Sequence, residues 1–178
     1  FIGLLGCTLG GEQTTLRRSA SLLLLTVCSV LLLYPQVLPR KIADHTFQAS
    51  FLDVGQGSAA LLEFPSGMTV LIDGGGASPP AGSIGEKVIA PYLWHRRITT
   101  LDAVVITHPD ADHYNGLDFI LKHFSPRQLW VRDKQGHDDN FRRLIRLAEA
   151  LEIEIIATQE GKRLGDGQNS GLVECLAN

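Results

Sequence analysis

The chain has 178 residues, of which 44% are hydrophobic, and a formal net charge of −3 at pH 7. This length accommodates one ordinary domain, or a smaller domain together with a membrane segment. The mild acidity excludes a uniformly basic nucleic-acid binder, although a local basic face remains compatible with it. The three cysteines show neither CxxC spacing nor zinc-ribbon pairing, so neither a disulfide framework nor a cysteine-ligated zinc site is indicated.

A long uncharged stretch lies near the beginning of the chain. Residues 19–38 read SASLLLLTVCSVLLLYPQVL and contain no charged side chain. As a helix this stretch would span about 30 Å, the thickness of a bilayer's hydrocarbon core. We therefore predict a transmembrane helix over about residues 19–38, within a membrane segment that comprises residues 1–45. A buried core helix and a secretory signal peptide are the alternatives, disfavoured by the absence of a polar face and of a small-residue cleavage site.

After residue 45 the pattern changes to short strands, which then alternate with helices. The predicted strands are FQASFLDV (47–54), SAALLEF (58–64), MTVLID (68–73), LDAVVIT (101–107), QLWVRD (128–133) and EIEIIAT (152–158). The predicted helices are IGEKVIAPYLWHRRI (84–98), kinked at Pro91, then GLDFILKHF (116–124) and DDNFRRLIRLAEAL (138–151). The last of these places five apolar residues on one face: Phe141, Leu144, Ile145, Ala148 and Leu151. This order predicts a layered α/β domain over residues 46–178.

Four potential metal ligands follow the predicted strand LDAVVIT within six positions. They lie in the sequence HPDADH and are His108, Asp110, Asp112 and His113. Imidazole nitrogens and carboxylate oxygens suit zinc, manganese or iron, and the short spacing suits one ion or two adjacent ions. The alternative is an Asp-rich turn that caps the following helix. A cap needs only one such residue, so the pattern favours a metal site.

The sequence THPDADHYNGL resembles the His-x-His-x-Asp-His signature of the metallo-β-lactamase superfamily of hydrolases. Together with FLDVGQGSAALLEF and LIDGGG, it is similar to the C-terminal domain of the ComEC family, membrane channel proteins of competence for DNA uptake. Asp110 replaces the second His of the signature, as in that subfamily, whereas Ser58 stands where many relatives have Asp. The resemblance implies the N-terminal half of a four-layer αββα fold (α+β). Because the chain begins with Phe and stops just after a predicted strand, we expect a piece of a longer protein, truncated at its C-terminus.

The resemblance also implies a role for each site residue. His108 and Asp110 would bind a first divalent ion, and Asp112 and His113 a second, with manganese or zinc as candidates. Asp112 would also act in catalysis by orienting the attacking water. Asp73, in LIDGGG, would hydrogen-bond a metal-binding histidine without binding the metal itself, although a simple Asp-Gly turn is the alternative. The superfamily's later ligands, an Asp and two histidines, have no counterpart in matching context here.

The function implied is metal-dependent hydrolysis of DNA phosphodiesters by part of a DNA-uptake channel. The implied partners are single- or double-stranded DNA, the cytoplasmic membrane and other DNA-uptake proteins. The implied location is the bacterial cytoplasmic membrane, with the domain on its periplasmic or extracellular side. The alternatives are a noncatalytic DNA-guiding or gating domain, and a hydrolase of small esters.

Several other residues are weaker candidates. Asp53, in DVGQG, could line the site, whereas Gly55 and Gly57 are read as turn glycines. His123 and His137 are expected on the surface, and so are the arginines of the helix at 138–151. Both tryptophans, Trp94 and Trp130, are expected in the core rather than stacked on bases.

Overall fold

The computed structural model describes residues 18–30, 32, 46–76, 84–133, 138–158, 163–165 and 172–174. The chain divides into two compact units, Phe1–Pro39 and Arg40–Asn178. In the first unit, residues 18–30 are helical and exposed. No helix in the described part of the chain is long and apolar enough to cross a membrane. Residues 31 and 33–38 of the predicted transmembrane helix lie outside the described residues, so that helix and the boundary at residue 45 stay predictions.

The second unit contains one six-stranded sheet whose strands lie side by side in chain order. Strands β1, β2 and β3 are antiparallel neighbours, and β3, β4, β5 and β6 run parallel. Two short strands, β7 and β8, form a separate antiparallel pair. The bounds are β1 (Gln48–Phe51), β2 (Ala60–Glu63), β3 (Thr69–Ile72), β4 (Ala103–Ile106), β5 (Gln128–Val131), β6 (Glu154–Ala157), β7 (Arg163–Gly165) and β8 (Leu172–Glu174). Each of the six predicted strands is present, and the mixed α/β class is confirmed.

The helices connect the parallel strands. A turn of π-helix, Gly85–Ile89, continues into α1 (Ala90–His95), and the Ala90 amide donates to the Gly85 carbonyl, five residues earlier. Pro91 lies in the first turn of α1, and because it has no amide hydrogen it cannot continue the five-residue bonding of the preceding π-turn. The predicted kink at Pro91 is therefore a change of helix type at the preceding residue. The remaining helices are α2 (Ala111–Tyr114), α3 (Leu117–Phe124) and α4 (Asp139–Ala150).

The core lies on both faces of the sheet because parallel strands are covered on both sides. The larger cluster joins the sheet to the helices and includes Leu71, Val104, Leu93, Phe124 and Phe141. The smaller cluster covers the opposite face and consists of Phe64, Met68, Val70, Ala103, Trp130, Ile156 and Leu164.

Two residues expected in the core are not buried. Leu151 is 41% exposed because α4 ends at Ala150, and a residue beyond the last helical turn leaves the apolar stripe. Trp94 is 50% exposed, although its ring stacks on Phe124 at 5.7 Å and meets Phe119 edge-on at 6.4 Å between centroids. Trp130 is 3% exposed, as expected.

Candidate metal centre

The predicted site residues lie at one edge of the sheet, where the parallel strands β3 and β4 end. Strand β3 leads into Asp73, and β4 leads through Thr107 into His108. The start of β2 lies at the same edge, because Ala60 is paired with Ile72 at the end of β3. In open α/β sheets, ligands bind outside the carboxyl ends of the strands. Three loops distant in sequence therefore meet where such a site is expected.

The hydrogen bonds at this edge converge on Asp73. Its side chain is buried, and it accepts four hydrogen bonds. The Thr107 amide donates to Oδ1 at 2.8 Å, and the Thr107 hydroxyl, the Ser58 hydroxyl and His113 Nδ1 approach Oδ2 at 2.7, 2.9 and 2.8 Å. A buried carboxylate is costly unless hydrogen bonds replace its water, and these four donors do so. The simple Asp-Gly turn does not account for this set of contacts.

The backbone of Asp73 is also strained. Its φ is +57°, in the left-handed region that costs a non-glycine residue about 1 kcal/mol or more. Such outliers persist where surrounding contacts over-determine them, and the four bonds to Asp73 are contacts of that kind.

His113 is held by Asp73 through one ring nitrogen. A carboxylate only accepts hydrogen bonds, so Nδ1 of His113 must carry the hydrogen and Nε2 keeps the lone pair. The ring of His108 lies next to it, with ring centroids 5.2 Å apart and planes inclined at 55°. This arrangement, an imidazole backed by a carboxylate, is the one that metal-binding histidines commonly show.

The two aspartates of the HPDADH loop are free of competing bonds. Asp110 occupies the N-cap position of α2, yet its side chain makes no capping bond. Within the described residues, neither its carboxylate nor that of Asp112 forms a hydrogen bond or ion pair. The capping interpretation of this loop therefore receives no support from the geometry.

The donors fit a divalent cation only in part. Two imidazoles and two carboxylates are a suitable set for a divalent transition metal. However, among the described residues no group of three or more His, Cys, Asp or Glu side chains is close enough to bind one ion. The described residues thus supply oriented donors but no closed coordination sphere.

The DVGQG turn packs directly against this loop. Gly57 has φ +95°, and a Cβ placed there would lie 1.8 Å from the backbone oxygen of Asp112. Only glycine allows so close an approach, and it brings Ser58 within reach of Asp73. The neighbouring Asp53 is exposed, and its carboxylate accepts from the Gly55 amide at 3.2 Å, which is a local turn rather than a lining of the site.

A second contact ties the end of the loop to helix α4. The buried hydroxyl of Tyr114 donates to the carboxylate of Asp138, which also accepts from the Asn140 amide as the N-cap of α4. Burial and then the bond to Asp138 raise the pKa of Tyr114, and the same bond lowers the pKa of Asp138. The ring of Tyr114 meets Phe141 edge-on, at 5.3 Å between centroids. The loop is therefore anchored at both ends.

The sequence prediction missed two hydroxyl residues and was right about one surface histidine. Ser58 and Thr107 both contact Asp73, and Thr107 could have been noticed because it immediately precedes His108 at a strand end. His123 is exposed, with Nδ1 2.9 Å from the Phe119 carbonyl, and takes no part in the site. His137 lies outside the described residues.

Comparison with known proteins places this fold in a family. The family model of the metallo-beta-lactamase superfamily matches residues 52–171, more than half of the chain. A flavo di-iron protein of Thermotoga maritima, solved as a point mutant, aligns over 61% of this chain and 24% of its own. Its TM-score is 0.41 at 18% identity, and a TM-score this low does not establish a common fold.

Two curated relatives are more informative. Recombination protein 2 of Haemophilus influenzae is 35% identical over 113 residues, or 64% of this chain. ComE operon protein 3 of Bacillus subtilis is 32% identical over 117 residues, or 60% of this chain. The match spans only 14% of the length of each relative. The chain belongs to the metallo-β-lactamase superfamily, and its predicted resemblance to the ComEC family of competence proteins is confirmed.

Proposed function

We propose that this chain is the metallo-β-lactamase-like part of a DNA-uptake protein and hydrolyses DNA phosphodiesters with divalent metal ions. One observation carries the chemistry: buried Asp73 holds Nδ1 of His113, 2.8 Å away, and so leaves on Nε2 the lone pair that a metal would bind. The relationship to two long competence proteins supports the biological setting.

In this proposal each site residue has a separate role in metal binding or catalysis. His108 and Asp110 would bind one ion, and Asp112 and His113 the other. Bound divalent ions would supply Lewis acidity, lowering the pKa of water from about 15.7 toward 7. The Asp112 carboxylate would orient the attacking water, while Asp73 keeps the His113 ring in place. Manganese and zinc are the candidate metals, because replacing a histidine by Asp110 favours harder ions.

Two further parts of the proposal concern the cell. The apolar stretch at 19–38 would cross the bacterial cytoplasmic membrane, with the metal centre on its periplasmic or extracellular side. The substrate would be single- or double-stranded DNA, delivered together with other uptake proteins. A noncatalytic DNA-guiding or gating role is the second candidate, because no closed ligand group exists among the described residues. A small-ester hydrolase has no comparable support.

The experiment is a nuclease assay of the full chain. Removing metal with a chelator should abolish cleavage of labelled DNA, and adding manganese should restore it. Asp112→Asn should lower the rate at least about 100-fold, since general-base groups typically contribute 10²–10⁴-fold. Asp118→Asn is the matched control, because it removes the same charge from a surface pair with Lys122.

The outcomes separate the candidate functions. Cleavage that survives chelation, or that Asp112→Asn and Asp118→Asn lower equally, would refute the nuclease proposal. DNA binding without cleavage would favour the gating role. Cleavage of a small ester in place of DNA would favour the third candidate function, a hydrolase of small esters.

A further inference from the structure

The hydroxyl of Thr107 lies between the two histidines and the buried carboxylate. Its Oγ1 is 2.7 Å from Oδ2 of Asp73, and 3.1 Å from Nδ1 of both His108 and His113. Thr107 is the residue immediately before the HPDADH loop, and its own amide is bonded to Asp73 Oδ1. The backbone and the hydroxyl of this threonine are therefore both fixed by the same carboxylate.

The direction of each bond follows from counting hydrogens. A hydroxyl has one hydrogen, and a carboxylate can only accept, so the Thr107 hydroxyl donates to Asp73. Toward any imidazole this oxygen can then only accept. At 3.1 Å, Nδ1 of His108 must therefore be the donor. His113 also carries its hydrogen on Nδ1, because that nitrogen donates directly to Asp73.

We propose that Thr107 is a positioning residue that fixes His108 with its hydrogen on Nδ1 and its lone pair on Nε2. Asp73 then sets both imidazoles, His113 directly and His108 through the threonine hydroxyl. The consequence for metal binding rests on the proposed function, whereas the tautomer itself does not. Ser58 touches the same Asp73 oxygen but makes no bond to His108 in the described structure.

The test reads the tautomers in the metal-free full chain, at a pH where the imidazoles are neutral. Long-range ¹H–¹⁵N spectra of the labelled protein distinguish Nδ1–H from Nε2–H rings. In the wild type, both His108 and His113 should carry the hydrogen on Nδ1. Thr107→Val, which has the same shape without the hydroxyl, should shift His108 toward Nε2–H and leave His113 unchanged.

Two further variants make the result specific. Thr107→Ser keeps the hydroxyl and should restore the wild-type state of His108. Ser58→Ala removes a bond to Asp73 without touching His108, and should leave that ring as it is. Zn²⁺ titration should show affinity about 10–100-fold weaker in Thr107→Val than in the wild type or Thr107→Ser.

The proposal and the proposed function can fail separately. A wild-type His108 found as Nε2–H overturns the proposal, and so does a His108 state that Thr107→Val leaves unchanged. The wild-type spectrum alone decides the matter if Thr107→Val does not fold. If the tautomers follow the prediction but the full chain binds no metal, the tautomer assignment stands and the proposed function fails.

Discussion

Replacing Asp73 by Asn removes the charge at the centre of the site and little else. Asn tolerates a positive φ as well as Asp does, so the backbone at +57° should persist. The Asn oxygen can keep the bond from the Thr107 amide at the Oδ1 position. The amide NH₂ then faces the hydroxyls of Ser58 and Thr107, which can rotate to accept. His113 can accept only by moving its hydrogen from Nδ1 to Nε2, and that removes the lone pair a metal would use.

The expected loss of stability in Asp73→Asn follows from the hydrogen bonds that lose their charged acceptor. Hydrogen bonds to charged groups contribute about 1.5–3 kcal/mol, and neutral ones about 0.5–1.5 kcal/mol. Three bonds at Oδ2 become neutral, and the smaller desolvation cost of an amide offsets part of that loss. We expect the free energy of unfolding to fall by about 1–3 kcal/mol. Metal affinity should fall about 10–100-fold, as it commonly does when a carboxylate behind a ligand histidine is lost.

Urea unfolding and Zn²⁺ titration measure the two effects. Asp102→Asn is the matched control, because Asp102 also accepts from a backbone amide, that of Thr69, at 2.8 Å. It lies at the start of β4, at the opposite edge of the sheet, so its loss should lower stability without changing metal affinity. Equal metal affinities for Asp73→Asn and the wild type would refute the reasoning.

Three further changes test the packing around the site. Gly57→Ala should lower the free energy of unfolding by about 3 kcal/mol, since its Cβ would overlap the Asp112 carbonyl, whereas Gly55→Ala, with open space, should cost about 1 kcal/mol. Equal costs in urea unfolding would contradict this. Tyr114→Phe should be less stable than the wild type near pH 6, and the gap should narrow as the pH falls well below 3.8, the ordinary pKa of an Asp carboxyl. The bond from Tyr114 lowers the pKa of Asp138, so the ionised carboxylate stabilises the fold above that ordinary value and this stabilisation is lost on protonation. A difference in stability between Tyr114→Phe and the wild type that does not change with pH would contradict the bond between Tyr114 and Asp138. Leu144→Ala should cost about 2–5 kcal/mol, and Leu151→Ala less than about 1 kcal/mol, because Leu144 is 3% exposed and Leu151 41%; thermal unfolding compares them.

The strands and long helices could be predicted because their signals are local. Strands β3, β4 and β5 are short apolar runs, and the helix α4 repeats apolar residues at helical spacing. The end of α4 was misplaced by one residue, because Leu151 continues the pattern without continuing the helix. The π-turn before α1 has no such local signal. It brings Gly85 so near to Gly116 that a Cβ at Gly85 would lie 1.9 Å from the Gly116 carbonyl oxygen.

The site residues also differ in whether the sequence alone could indicate them. His108 and His113 were singled out because they stand close together with two aspartates. Asp73, 40 positions before His113, was singled out through a motif rather than through spacing. The hydroxyl of Ser58 could not be singled out from the sequence, because its role exists only once separate loops meet at one edge of the sheet, whereas the position of Thr107 directly before His108 was a usable signal.

The most direct measurement is an anomalous difference map from crystals of the protein grown with manganese or zinc. The account predicts two peaks, one within bonding distance of Nε2 of His108 and the Asp110 carboxylate, and one within bonding distance of Nε2 of His113 and the Asp112 carboxylate. Absence of any peak beside His108 and His113 in well-ordered crystals would contradict it.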